Sequence, residues 1–207
     1  MRVVIAGGHG RIAMLLARLL VERGDQAVGL VRNPAQVDVL TAIGAIALVV
    51  DLERATVDEV AAALDGADAV VFAAGAGAGS GAARKETVDR AAAVLVAEAA
   101  ERAGVRRHVQ ISAMGLDRAG DATVDEVFRA YLAAKEAAER DLRGRDLDWT
   151  IVRPGRLTDG PATGRVNLAD SVPPGAVSRA DVAAVLASVL DDAGTAGRIL
   201  ELTSVDG

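Results

Sequence analysis

A parallel, doubly wound α/β sheet with helices on both faces is the fold class predicted for this chain of 207 residues. Three observations predict it. Short apolar runs alternate with longer helical stretches from end to end. The runs are continuous rather than alternating apolar and polar, as strands covered on both faces require. A glycine-rich turn joins the first run to the first helix. Strand–helix alternation with right-handed crossovers then makes one sheet.

The elements follow in order. Val3–Ala6 reads as the first strand, and a helix over 11–23 follows, closed by Gly24 at a C′ position. Strands are expected at 27–31 and 45–50, with a helix starting near Pro34 between them. A helix at 56–64 leads to a strand at 69–73, and an Ala-rich helix at 84–103 leads to one at 107–111. A helix at 124–143 precedes a strand at 148–152, and a last helix at 180–190 precedes one at 199–202. The Gly/Ala/Ser-rich stretch 74–81 lies just past a strand end, so it reads as a loop on the ligand side and not as a linker. The chain therefore reads as a single domain over 1–207 with a small C-terminal substrate lobe.

Composition narrows the function. Hydrophobic residues make up 51% and aromatics 2%, which suits helices packed closely on a sheet. A formal charge of −6 and no long basic run argue against nucleic acid or a membrane surface as partner. There is no cysteine, so disulfides, iron–sulfur clusters and thiolate zinc sites are excluded. His9 and His108 lie far apart, and no metal site is expected. No apolar run is long enough to span a bilayer. The sequence opens on Arg2-Val3-Val4-Ile5-Ala6 without a leader pattern, so a cytoplasmic protein, monomer or homodimer, is the expectation.

The first strand runs into Gly7-Gly8-His9-Gly10-Arg11-Ile12-Ala13. Strand, glycine turn and helix together are the context of a dinucleotide fingerprint, the mark of a Rossmann fold. Gly7 and Gly10 would let the backbone approach a pyrophosphate, and the following helix would aim free N–H groups at it. The second strand ends Val31-Arg32-Asn33, with no carboxylate to hold a ribose 2′-hydroxyl. Arg32 can instead pair with a 2′-phosphate, and Arg11 could reach the same group. NADP(H) is therefore expected over NAD(H). Asp51-Leu52 follows the third strand and could meet the adenine; a helix-start acid is the competing role for Asp51.

Ser112 ends the fifth strand at the carboxyl edge, where open α/β sheets bind ligands. Tyr131 and Lys135 are spaced i,i+4 on a helix face that continues through Val127, Ala134, Ala138 and Leu142. A lysine on such an inward stripe needs partners. Lys135 is expected to lower the pKa of Tyr131, so that the phenol serves as general acid for carbonyl reduction. Ser112 would hydrogen-bond the substrate carbonyl.

These motifs, with Leu30-Val31-Arg32-Asn33-Pro34, Val109-Gln110-Ile111-Ser112, the run from Asp148 to Gly155, and Ser178-Arg179-Ala180-Asp181-Val182-Ala183, carry a resemblance along nearly the whole chain. It resembles an atypical short-chain dehydrogenase/reductase of the small NAD(P)H-binding group that includes NmrA-like and biliverdin-reductase-B-like proteins. The resemblance implies that Gly7, Gly10, Arg11, Ile12 and Arg32 bind the adenosine phosphate half. It also implies that Ala74, Gly75, Lys135 and Pro154 line the ribose and nicotinamide. Ala13 stands for the family's third glycine, and the interval from Ser112 to Tyr131 is longer than in its simplest enzymes. The function expected is an NADPH-dependent oxidoreductase of a small carbonyl or conjugated acceptor. A sugar epimerase or dehydratase, and a non-catalytic NADP(H) sensor, are the alternatives.

Overall fold

The computed structural model describes residues 1–77 and 79–205. Among them, eight strands form one sheet in the order β3-β2-β1-β4-β5-β6-β10-β8. The strands are β1 (Arg2–Ala6), β2 (Gln26–Val31), β3 (Ile46–Val49), β4 (Ala69–Phe72), β5 (Arg107–Ile111), β6 (Asp148–Pro154), β8 (Val166–Ala169) and β10 (Arg198–Ser204). A separate parallel pair is made by β7 (Arg156–Thr158) and β9 (Ala176–Ser178).

Successive residues of the central strands serve opposite layers. Val3 and Ile5 of β1 pack with α1 (Arg11–Glu22) and α7 (Arg179–Asp191). Val4 and Ala6 pack with α3 (Val57–Ala63) and α5 (Ala92–Ala103). This is why the strands read as continuous apolar runs: both faces are buried. The smaller helices α2 (Val37–Thr41) and α4 (Ala82–Arg84) and the long α6 (Glu126–Arg143) complete the layers. The chain winds outward from β1 to β3, then returns to place β4 on the other side of β1. That reversal opens a crevice at the carboxyl ends of β1 and β4, the position where such sheets bind ligands.

The expected parallel sheet is present, and the structure adds to it. β8 is antiparallel to β10, pairing Ala169 with Glu201, and it lies between 152 and 180, where no strand is expected. Its short Val166-Asn167-Leu168-Ala169 run is largely exposed, so its strand character comes from the free edge of β10. The small lobe is built by β7 and β9 and pinned at the N-terminus of α7. There Asp181 Oδ1 accepts from the backbone N–H of Thr163 and Gly164, both at 2.9 Å, and its own N–H donates to Ser178 Oγ at 2.9 Å.

Two helix expectations are corrected. The helix expected at 84–103 is not uniform: Lys85–Ala91 forms a π-helical turn between α4 and α5. The wider turn brings Lys85, Val88 and Asp89 inward together. Val127, expected on the buried stripe of α6, is 38% exposed, because the buried face starts only at Leu132. No described helix is long and apolar enough to cross a membrane.

Candidate functional site

The glycine turn is shaped by close approach. Gly7 has φ of +81°, and a Cβ there would lie 2.6 Å from Ala74 Cα. A Cβ on Gly8 would lie 2.6 Å from Gly29 Cα in the neighbouring strand β2. Gly10 caps α1 without a side-chain hydrogen bond, and no acidic residue sits in the first turn. The first N–H groups of a twelve-residue helix are thus unclaimed by side chains at the crevice.

A cavity of about 270 Å³ opens there. Its lining includes Gly7, Gly10, Arg32, Asp51, Leu52, Ala74 and Gly75, seven of the positions expected to hold a cofactor. Arg11 and Ile12 lie elsewhere. Arg11 faces the lobe and pairs with Asp159 at 2.6 Å, and Ile12 packs against the core. Asp51 is not a helix-start acid, because the next helix begins at Val57 and is capped by Thr56. It lines the cavity, and its carboxylate accepts from the Glu53 N–H at 3.2 Å.

The surroundings of Arg32 correct one expectation. A carboxylate is available after all, supplied by Glu53 from beyond β3. Glu53 Oε2 accepts from Arg32 at 3.0 Å and from Arg84 at 2.9 Å, while Oε1 accepts from Thr87 at 2.8 Å. The Thr87 hydrogen bond and the two arginines hold the Glu53 carboxyl below its usual range, against a smaller opposing effect of burial. Arg84 is the residue that sequence reasoning could not place. Its side chain shares Glu53 Oε2 with Arg32 only because the 82–91 segment comes back to the residues after β3.

Ser112, Tyr131 and Lys135 are brought to one end of the sheet. Ser112 N–H donates to Val152 O at 2.8 Å, which fixes the residue; its buried Oγ has no hydrogen-bond partner. Lys135 is 5% exposed, donates to Ile111 O at 3.2 Å, and lies 5.9 Å from the centre of the Tyr131 ring. Phe128 stacks on Tyr131 with ring centres 5.8 Å apart.

Two further charged residues join them. Asp89 is 1% exposed and lies 3.3 Å from Lys135 Nζ, too poorly aligned to count as a hydrogen bond for its Oδ1. Its Oδ2 accepts from Ala76 N–H at 3.2 Å. Lys85 Nζ donates to Gly77 O at 2.8 Å and stands 5.3 Å from the Tyr131 ring centre, nearer than Lys135. Asp89 and Lys85 therefore hold the loop 74–77 against the site. Nothing in the sequence sets them apart: Lys85 and Asp89 are two of five charged residues from Arg84 to Arg90.

The electrostatics reverse the expected direction for Tyr131. Burial, with Asp89 adding to it, pushes the phenol up from 10.0 to about 12. Lys135 does not offset this, because Asp89 already neutralises it; burial pulls the Lys135 ammonium down and Asp89 resists. The phenol is therefore held protonated across the neutral range.

Beyond Ser112 and Tyr131 lies a second cavity of about 660 Å³, walled by Pro154 and by apolar side chains of the lobe. Among the described residues, no group of three or more histidines and carboxylates could hold a metal.

Comparison with known proteins shows the family and the fold. Residues 7–193 match the family described as NAD(P)H-binding, and the chain belongs to it. The Bacillus subtilis protein named uncharacterized sugar epimerase YhfK is 35% identical over 100% of this chain and 95% of its own. A Bacillus halodurans structure bearing the name of an NAD-dependent epimerase/dehydratase superposes with a TM-score of 0.91, at 34% identity over 100% of this chain and 95% of that one. ChuY of Escherichia coli O157:H7, named an anaerobilin reductase, gives a TM-score of 0.80 at 25% identity over 100% and 98% of the two chains. The fold and the family resemblance read from the sequence both hold.

Proposed function

We propose that this protein is an NADPH-dependent reductase of a small carbonyl or conjugated acceptor. The observation that carries the reading is the buried Ser112 hydroxyl, which has no partner and lines the same cavity as Tyr131. A buried polar group left unpaired costs free energy, so such a group is expected to meet a ligand.

The residues present suit a dinucleotide. The cradle at Gly7 admits no Cβ, and Arg32 and Arg84 face the cavity that follows. Gly7, Gly10, Asp51, Leu52 and Arg32 would hold the adenosine half, with Ala74, Gly75, Lys135 and Pro154 beside the nicotinamide half. A bound nicotinamide supplies the hydride. Ser112 donates its O–H to the acceptor oxygen and holds the carbonyl in place. Tyr131, protonated at neutral pH, gives its proton to the oxygen that becomes a hydroxyl. Lys85 and Lys135 stand within 6 Å of the ring centre, with Asp89 paired to Lys135. Pro154 and the lobe keep water from the acceptor.

Calorimetric titration with NADPH, NADP⁺, NADH and NAD⁺ tests the cofactor. Tighter binding of the phosphorylated pair, lost in Arg32→Ala, is expected; no binding of any of the four removes the reading. Tyr131→Phe should lower turnover by about 10²–10⁴-fold while NADPH still binds. Unchanged turnover would remove Tyr131 from its role.

A second reading, a sugar epimerase or dehydratase, draws support from the names carried by two relatives. The two separate cleanly. A reductase consumes one NADPH per product, whereas an epimerase returns its cofactor unchanged.

A further inference from the structure

The cavity beyond Ser112 and Tyr131 has a charge pattern that its neighbours lack. The chain is acidic, with 29 carboxylate residues against 23 basic ones. The cavity at Arg32 and Arg84 contains Asp51 and Glu53 as well. The one under Arg140, Arg143 and Arg153 contains Glu136, Glu139 and Glu201. The 660 Å³ cavity is lined by Arg118, Arg156 and Arg179 and by no aspartate or glutamate. Met114, Phe128, Leu157 and two prolines line it as well, so its body is apolar.

The three arginines are not equally engaged. Arg179 is committed to Asp159 at 2.6 Å. Arg118 has Asp121 at 3.9 Å, beyond hydrogen-bond reach. Arg156 has no carboxylate within 4.0 Å among the described residues. Its backbone is nonetheless fixed, because β7 pairs Arg156 with Ala176 and its N–H donates to Gly175 O at 2.9 Å. An arginine held in place over an apolar cavity, with five donors unclaimed, is arranged for a planar anion.

We propose that this cavity takes an acceptor bearing a carboxylate: an apolar, ring-sized body with its reducible group at Ser112 and Tyr131 and its carboxylate on Arg156, with Arg118 beside it. This rests on the reductase reading of the Ser112–Tyr131 end. One unpaired guanidinium matches one negative charge, and its fork fits a carboxylate with two parallel hydrogen bonds. The local arginines must also overcome the repulsion an anion meets from a chain of net charge −6. The carboxylate binds and orients without reacting. The acceptor carbon would take the hydride that a bound nicotinamide supplies, and Tyr131 gives its proton to the oxygen, or to the adjacent carbon in a conjugated acceptor.

The test uses a panel of ring aldehydes and enones, each as free acid and methyl ester, with 4-carboxybenzaldehyde and its ester as the first pair. Binding of each pair's reduced product, the alcohol from an aldehyde or the saturated ketone from an enone, is measured calorimetrically with NADP⁺ present, and turnover is measured as NADPH oxidation. Acids should bind about tenfold more tightly than their esters, the scale of one charged hydrogen-bonded contact. Arg156→Ala should bring the acids to the level of the esters and leave the esters unchanged. Arg156 is exposed, so the variant should keep its melting temperature; Arg118→Ala is the second variant, with a smaller loss in the same direction. A panel in which no acid outbinds its ester overturns the proposal, as does an Arg156→Ala variant that weakens acid and ester alike. Acids that bind through Arg156 while nothing in the panel is reduced would leave the anion site standing and remove the reductase reading.

Discussion

Tyr131 is the chain's single tyrosine, which makes its ionisation directly observable. Burial and Asp89 hold the phenol neutral, with its pKa raised from 10.0 to about 12. The sign for stability follows: a folded-state value above the unfolded one contributes stability below pH 10 that is lost as pH rises toward 12. Near-ultraviolet phenolate absorbance should therefore appear well above pH 10 in the native protein. Asp89→Asn removes the negative neighbour and should move that absorbance to lower pH, together with the alkaline fall in reductase rate. A titration curve identical in the two proteins would show that Asp89 does not set the state of Tyr131. The expectation drawn from the Tyr131–Lys135 spacing had the opposite sign. It counted one charge on the stripe, and the fold delivers three.

At the scale of elements, the segment 82–91 connects the two ends of the site. Its π turn points Lys85 and Asp89 at Tyr131 and Lys135, and its start carries Arg84 and Thr87 to Glu53. Glu53 lies between Arg32 and Arg84 as a phosphate would, with a carboxylate oxygen shared by both guanidiniums. A 2′-phosphate must compete with it for the same donors. Glu53→Gln should therefore tighten NADPH by about tenfold and leave NADH within about twofold, read as the ratio of the two dissociation constants. Arg84→Ala should move the ratio the other way. A ratio unchanged in Glu53→Gln would mean that the ribose phosphate lies elsewhere.

Across the whole molecule, the centre of the sheet carries an unpaired polar residue. His108 on β5 is fully buried, and neither ring nitrogen has a partner. Burial first, then Arg145 and Arg107, push its pKa from 6.5 down to about 3. The imidazole stays neutral in the fold and gains a proton only on unfolding, so stability falls as pH drops from 6.5 toward 3. The slope is at most about 1.4 kcal/mol per pH unit. His108→Leu should melt higher and lose less stability over that interval than the parent, measured by denaturant unfolding at stepped pH. Equal acid losses in the two proteins would show that the paired surface carboxylates govern acid unfolding instead.

The sequence by itself determined the seven parallel strands of the sheet, the layers that cover them and the glycine turn. Each follows from local pattern: continuous apolar runs need two covering faces, and a glycine turn between strand and helix needs close backbone approach. It also brought Ser112, Tyr131 and Lys135 into view, because a strand end and an i,i+4 helix pair are local facts. Tertiary structure alone decided what surrounds them. Glu53 reaches Arg32 across 21 residues, and Asp89 reaches Lys135 from a π turn that no periodicity announces. Arg118, Arg156 and Arg179 come from three separate segments to one cavity. The charge at a site is a sum over neighbours in space. Chain separation does not limit that sum, so the sign of the Tyr131 shift and the cationic character of the second cavity were fixed only by the fold.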